Sequence, residues 1–208
     1  MKQLEEMTHE RKVPIGISAR HVHLSEKDLE ILFGKGAKLT PYKPLSQPGQ
    51  FASVECVDII TSRGMLRGVR ILGPVRKETQ VEISKTDCYT LGIDAPVRAS
   101  GDIEGTPGAI LRGPEGILQI PKGVIIPDRH IHMTPEDAAQ YGVKNGDRVH
   151  VLVEGERGGI LDRVLIRVSE TSRLDFHVDT DDANAFDLHQ GQWVRIFKSN
   201  PYENRSES

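Results

Sequence analysis

Two copies of one short motif, Arg20-His21-Val22-His23 and Arg129-His130-Ile131-His132, constrain this chain more than any other feature. Each follows an apolar stretch and precedes a helix-start signal. In an extended strand, residues i and i+2 point to the same face, about 7 Å apart. Two imidazoles on one face can share a metal ion, and histidine is the commonest metal ligand. A single His-x-His is usually structural or exposed. Two in equivalent positions of a repeat point to a two-metal active site.

The rest of the chain behaves as a repeat around these motifs. His21 to His130 is a step of 109 positions. After the first motif, Ser25 is a helix N-cap candidate with Glu26 and Asp28 in the first turn; after the second, Thr134 caps and Pro135 takes the first helical position. Further on, Gly64, Leu66, Val69 and Ile71 fall on Gly159, Leu161, Val164 and Ile166 at an offset of 95. Both stretches read as β-hairpins, Val54–Thr61 with Met65–Leu72 and Val149–Glu154 with Ile160–Val168. The same offset sets Glu82 against His177. Each copy thus offers three ligands: His21, His23 and Glu82, then His130, His132 and His177. Three protein ligands with an open position is the pattern of a catalytic rather than a structural zinc.

The change of offset leaves 14 extra residues in the first copy, near Gly34–Phe51. An insertion beside one site of a repeated scaffold is a natural substrate-binding element. The connector Gly92–Gly116 is rich in Gly and Pro, and its Ala99-Ser100-Gly101-Asp102 predicts a tight turn with exposed backbone N–H groups. Many short strands separated by turn residues favour small barrels or sandwiches over a parallel sheet.

With 208 residues, the chain can build one sizeable core or two small ones. A net charge of −3 and the lack of basic runs argue against nucleic acid, and no apolar run reaches the length of a membrane span. Cys56 and Cys88 are too few for a disulfide framework, which predicts a reducing, cytoplasmic compartment. Arg76 precedes Glu82 by six residues, so a regular strand would set both on one face. A guanidinium there suits phosphate or carboxylate, whose oxygens it binds bidentately; a surface salt bridge is the plain alternative. Arg20 and Arg129 point away from the histidines and read as ion-pair partners or contacts across the shared site. His9, His150 and His189 lack such surroundings.

The chain resembles the PduL-type phosphotransacylase family, also called phosphate propanoyltransferases. The resemblance is carried by Gly16-Ile17-Ser18-Ala19-Arg20-His21-Val22-His23-Leu24-Ser25, Leu45-Ser46-Gln47-Pro48-Gly49-Gln50-Phe51-Ala52 and Arg70-Ile71-Leu72-Gly73-Pro74-Val75-Arg76. Thr79-Gln80-Val81-Glu82, Arg129-His130-Ile131-His132-Met133 and Asp182-Ala183-Asn184-Ala185 complete the set, which spans roughly 13–197. It implies a mainly β fold of two small β-barrels from an internal duplication, each capped by short α-helices, with the N-terminal strand exchanged into the C-terminal barrel. On this chain, 13–19 plus 128–197 would form the first barrel and 20–127 the second, between a polar extension (1–12) and a disordered tail (198–208).

The resemblance also implies two zinc ions, other divalent metals being admissible, and coenzyme A as substrate. His21, His23 and Glu82 would take one zinc, and His130, His132 and His177 the other. Arg76 would be catalytic and bind phosphate together with Ser100. Ser18, Lys43, Gln50, Arg70, Leu72, Tyr89 and Asn184 would surround the coenzyme. The expected reaction interconverts a short-chain acyl-CoA (propionyl or acetyl) plus phosphate with acyl phosphate plus CoA. The rivals are a zinc-dependent thioesterase or hydrolase, and a cupin-like metal-binding module using Glu136, a residue expected to face solvent at a helix start. Acyl-CoA and phosphate are the expected partners, with a homo-oligomer compatible and neither nucleic acid nor membrane. Family members housed in bacterial microcompartments carry an amphipathic leading helix. The short polar Met1–Lys12 favours a bacterial cytoplasmic enzyme over a microcompartment lumen.

Overall fold

The computed structural model of the chain describes residues 11–198, so most of the expected extension and tail lies outside the described residues. The chain divides into two compact units. One is Ser18–Asp128; the other joins the described residues up to Ile17 to those from Arg129 onward. Among the described residues no helix is long and apolar enough to cross a membrane.

After β1 (Lys12–Ser18), the first unit runs β2 (His21–His23), α1 (Glu26–Phe33), β3 (Pro41–Pro44), β4 (Phe51–Ile60), β5 (Met65–Gly73) and β6 (Gln80–Glu82). It continues through α2 (Lys85–Leu91), β7 (Val97–Arg98), β8 (Ala109–Arg112), β9 (Ile117–Ile120) and β10 (Val124–Pro127). The second unit contains β11 (His130–Met133), α3 (Pro135–Tyr141), β12 (Arg148–Val153), β13 (Gly159–Val168), β14 (Asp175–Asp179), α4 (Thr180–Phe186) and β15 (Trp193–Phe197).

In the second unit the strands close into a six-stranded barrel, in the order β1-β14-β11-β13-β12-β15. The N-terminal strand joins it by antiparallel pairing with β15, Val13 opposite Val194. Val13 and Ile15 are fully buried, in one apolar cluster with Ile131, Val151, Val164, Ile166, Phe176 and Ile196. Each such side chain taken from water contributes about 1.5–3 kcal/mol, so β1 is part of the barrel's core rather than an edging. Tyr141 at the end of α3 donates its hydroxyl to the Lys12 carbonyl and ties the strand down.

The first unit keeps its ladder open: β7-β10-β6-β2-β5-β4-β8-β9, with β3 paired to β4. The expectation of two barrels is therefore met by one closed barrel and one nine-stranded sheet. Helix α1 covers part of the β8–β9 end: the Glu115 N–H in its turn donates to the Leu32 carbonyl. The other end, β7, is only two residues long.

Locally the units share one arrangement. β2 lies between β5 (parallel) and β6 (antiparallel), and β11 lies between β13 (parallel) and β14 (antiparallel). Both hairpins slip register, between Val57 and Ile59 and between Val149 and Val151, and β4–β5 slips a second time between Ala52 and Cys56. Both second strands carry a left-handed residue, Gly68 (φ 61°) and Arg163 (φ 57°). Each His-x-His strand runs into a capped helix. Ser25 accepts from the Asp28 N–H; Thr134 and Asp137 form a reciprocal capping box behind Pro135.

Candidate metal centres and their surroundings

Strand pairing alone assembles the first cluster. In β2 the side chains of His21 and His23 share a face, and the antiparallel neighbour β6 sets Glu82 opposite His21. All three residues are buried. His21 Nε2 lies 3.2 Å from Glu82 Oε2, and His23 Nε2 lies 3.8 Å from Glu82 Oε1. The Ala19 carbonyl, 2.9 Å from His21 Nδ1, accepts a hydrogen bond and leaves Nε2 to face the carboxylate. Such a bond on the far nitrogen is how ligating histidines are usually oriented.

The second cluster is built the same way from β11 and β14, where His130 pairs with His177. His130 Nε2 and His132 Nε2 approach to 3.0 Å, and the three rings meet edge to face. In each triad the ligand atoms lie within 4.8 Å of one another, so each could hold a metal ion. Tetrahedral zinc with nitrogens at about 2.0 Å separates its ligands by about 3.3 Å; the observed approaches of 3.0–3.8 Å bracket that value. Among the described residues, buried His23 Nδ1 meets no partner at hydrogen-bond geometry. The donor sets, one carboxylate with two imidazoles and three imidazoles, suit zinc and neighbouring divalent metals.

The electrostatics agree with ligand chemistry. Burial pushes His23 down to about 3, helped by the neighbouring His21 charge. Burial likewise lowers His132 to about 2, with His130, His177 and Arg167 adding to it. Both rings are therefore neutral near pH 7, the form that binds metal. Burial opposes charge on Glu82 and His21 as well, but their mutual attraction overcomes it. Glu82 is held well below the usual carboxylate range, and His21 is raised. A buried carboxylate facing two imidazoles calls for a cation, and a shared proton or a metal ion can supply it.

Arg76 reaches this cluster through one hydroxyl. Its Nη1 donates to Ser100 Oγ at 2.9 Å, and Ser100 Oγ donates to Glu82 Oε1 at 2.8 Å. The Arg76 backbone N–H bonds the Leu24 carbonyl just beyond His23, which fixes the arginine beside the motif. A pocket of about 300 Å³ opens there, lined by Pro48, Gly49, Gln50, Gly73, Pro74 and Arg76. The inserted segment thus supplies one wall, with the Leu45 N–H bonded to the Gln50 carbonyl.

The remaining candidates are more scattered. Arg70, opposite His21 in β5, spends Nη1 on the Ser53 and Val54 carbonyls and lies 5.4 Å from the centre of the Tyr42 ring. Lys43 is exposed on β3; Leu72 pairs with Ala52 in the neighbouring strand; Ser18 ends β1. Tyr89 is exposed on α2, and Asn184 is exposed on α4 of the barrel unit. The Gly101 N–H is not exposed for a ligand as its turn suggested: Gln80 Oε1 accepts it at 2.7 Å. Arg20 and Arg129 both form ion pairs, with Asp87 at 2.7 Å and with Asp182 at 3.4 Å. Glu136 stands exposed in the first turn of α3, away from the cupin role. His150 pairs with Asp162, and the Asp187 carbonyl lies 2.9 Å from His189 Nδ1; His9 lies outside the described residues.

Two residues at these clusters escaped sequence reading, Gln80 and Asp175. Gln80 Nε2 donates to Glu82 Oε1 and to Ser100 Oγ, and Asp175 Oδ2 lies 2.9 Å from His177 Nε2. The offset of 95 that aligned Glu82 with His177 aligns these two as well, and that was the signal available.

Comparison with known proteins now decides the family. A family profile described as phosphate propanoyltransferase matches residues 14–189. The chain belongs to this family. A phosphate propanoyltransferase of Thermotoga maritima is 60% identical over 190 residues, covering 89% of this chain and 90% of the relative. Proteins of the same name from Rhodobacter capsulatus (50% over 186 residues; 89% and 86%) and Rhodopseudomonas palustris (49% over 187 residues; 90% and 83%) agree. The chain is accordingly an acyltransferase.

Proposed function

We propose that the protein interconverts a short-chain acyl-CoA plus inorganic phosphate with acyl phosphate plus CoA, propionyl being the acyl group in its relatives' names. The observation that carries this reading is the chain Arg76–Ser100–Glu82, which sets an anion-binding guanidinium one hydroxyl away from a metal-capable cluster. Phosphate must be brought against a thioester carbonyl, and holding two reactants in line is a large part of such catalysis. Arg76 binds the phosphate oxygens and offsets their charge, Ser100 adds a hydroxyl, and the adjoining pocket receives the acyl end. His21, His23 and Glu82 hold one zinc ion, and His130, His132 and His177 hold a second. When bound, zinc supplies a Lewis acid for a carbonyl and a soft partner for a departing thiolate. Lys43, Gln50, Arg70, Leu72, Ser18, Tyr89 and Asn184 are the residues assigned to the coenzyme. The free Cys56 and Cys88 suit a reducing bacterial cytoplasm.

The test is the phosphate dependence of free-thiol release from propionyl-CoA by zinc-replete protein. Arg76→Ala should raise the phosphate KM by about tenfold or more, the size of one lost charge-assisted contact of 1.5–3 kcal/mol, with zinc content unchanged. Full turnover by Arg76→Ala at low phosphate contradicts the role of Arg76. Thiol release that ignores phosphate in the wild type points to a thioesterase.

A further inference from the structure

We infer that Gln80 and Asp175 are a matched pair of positioning residues, each holding the third ligand of its metal cluster. The inference rests on the metal reading of the two clusters. Each residue stands two positions before that ligand on the same strand, so its side chain leaves the same face. Gln80 is paired across the ladder with His23, and Asp175 with His132. Both are buried, at 2% and 4% exposure.

Their chemistry differs in the way their ligands differ. Glu82 presents acceptors only, so its partner must donate: Gln80 Nε2 lies 2.5 Å from Glu82 Oε1. The orientation of that amide is fixed because its oxygen accepts from the Gly101 N–H. With Oε1 engaged by Gln80 and Ser100, Oε2 is the oxygen turned to His21. An imidazole can donate, and a carboxylate is the acceptor that matches it: Asp175 Oδ2 lies 2.9 Å from His177 Nε2. A proton held on Nε2 leaves Nδ1 as the lone pair for a metal. Carboxylate–histidine–metal arrangements of this kind fix both tautomer and ring orientation.

The barrel also makes room for Asp175 and His177. A Cβ on Gly16 in β1 would come within 2.8 Å of Asp175 Oδ2 and of His177 Cδ2. Only glycine lets the N-terminal strand pass this close. An amide against a carboxylate in one cluster, and a carboxylate against an imidazole in the other, is the complementarity expected if the position serves the ligand rather than the fold.

The test is zinc affinity of the full-length protein, by competition with a chromogenic chelator, for wild type, Gln80→Ala, Asp175→Ala and Asp175→Asn. Wild type should take two zinc ions. Each alanine variant should weaken one of them by about 10- to 100-fold and leave the other unchanged. Asp175→Asn, which keeps an acceptor oxygen, should lose less. In zinc-free protein, long-range 1H–15N spectra should show His177 as the Nε2–H tautomer in wild type and Asp175→Asn. If Asp175→Ala does not fold, a mixed or Nδ1–H tautomer in Asp175→Asn and wild type overturns the role of Asp175. Two zinc ions in wild type with affinities unchanged in the variants overturn the inference alone. No zinc uptake by wild type overturns the metal reading and this inference with it.

Discussion

At the scale of single residues, the two units can be read against each other. Gly68 and Arg163 occupy equivalent left-handed positions, φ 61° and 57°. An L side chain there is strained by about 1–2 kcal/mol, part of which glycine returns as lost chain entropy. Arg163→Gly should therefore raise stability by about 0.5–1 kcal/mol, read from a denaturant midpoint; a lower midpoint would show that the arginine side chain contributes more than its backbone strain. Cysteine environment gives a second test. Burial pushes the Cys88 thiol up, and the residue is 2% exposed, whereas Cys56 is only half-buried. Iodoacetamide at pH 8 should label Cys56 first and reach Cys88 only on unfolding, since the thiolate is the reactive form; equal rates would contradict the packing of α2. The six residues of the two metal-capable triads were legible in the sequence, the His pairs from period-two spacing and the offset of 109, Glu82 and His177 from the offset of 95. Gln80 and Asp175 were not singled out, because a Gln and an Asp in strands look like ordinary polar residues until their partners are known.

At the scale of elements, pairing does most of the work of site building. A strand of three residues in one unit and four in the other, between a parallel and an antiparallel neighbour, brings a His pair to the third member of its triad. The hairpins and helix starts were readable from turn residues, alternation and caps, and the observed β4–β5 and β12–β13 pairs overlap the expected ones closely. The open end of the first sheet was not readable, because closure depends on whether two distant short strands meet, and no local signal records that. The path of β1 was also beyond repeat analysis; only the family resemblance sent it to the barrel. Its contribution can be measured. Ile15→Ala removes a side chain with no exposure from the barrel core and should cost about 2–4 kcal/mol. A loss below about 0.5 kcal/mol in a chemical denaturation series would mean that β1 is not integral to that core.

On the scale of the whole molecule, the described residues carry two metal-capable triads, one in each compact unit. The units differ around them. The sheet unit adds an inserted loop, a pocket and the Arg76–Ser100 link beside its triad; the barrel unit surrounds its own with a closed ladder, a glycine-cleared strand and a buried carboxylate. On the reading proposed above, phosphate is handled at the cluster beside Arg76 and Ser100. The central claim is that phosphate, rather than water, receives the acyl group. It is tested most directly by 31P NMR of zinc-replete protein with propionyl-CoA and inorganic phosphate. The account predicts an acyl phosphate resonance that grows in step with free CoA thiol. Thiol appearing while the phosphate signal stays unchanged would contradict it.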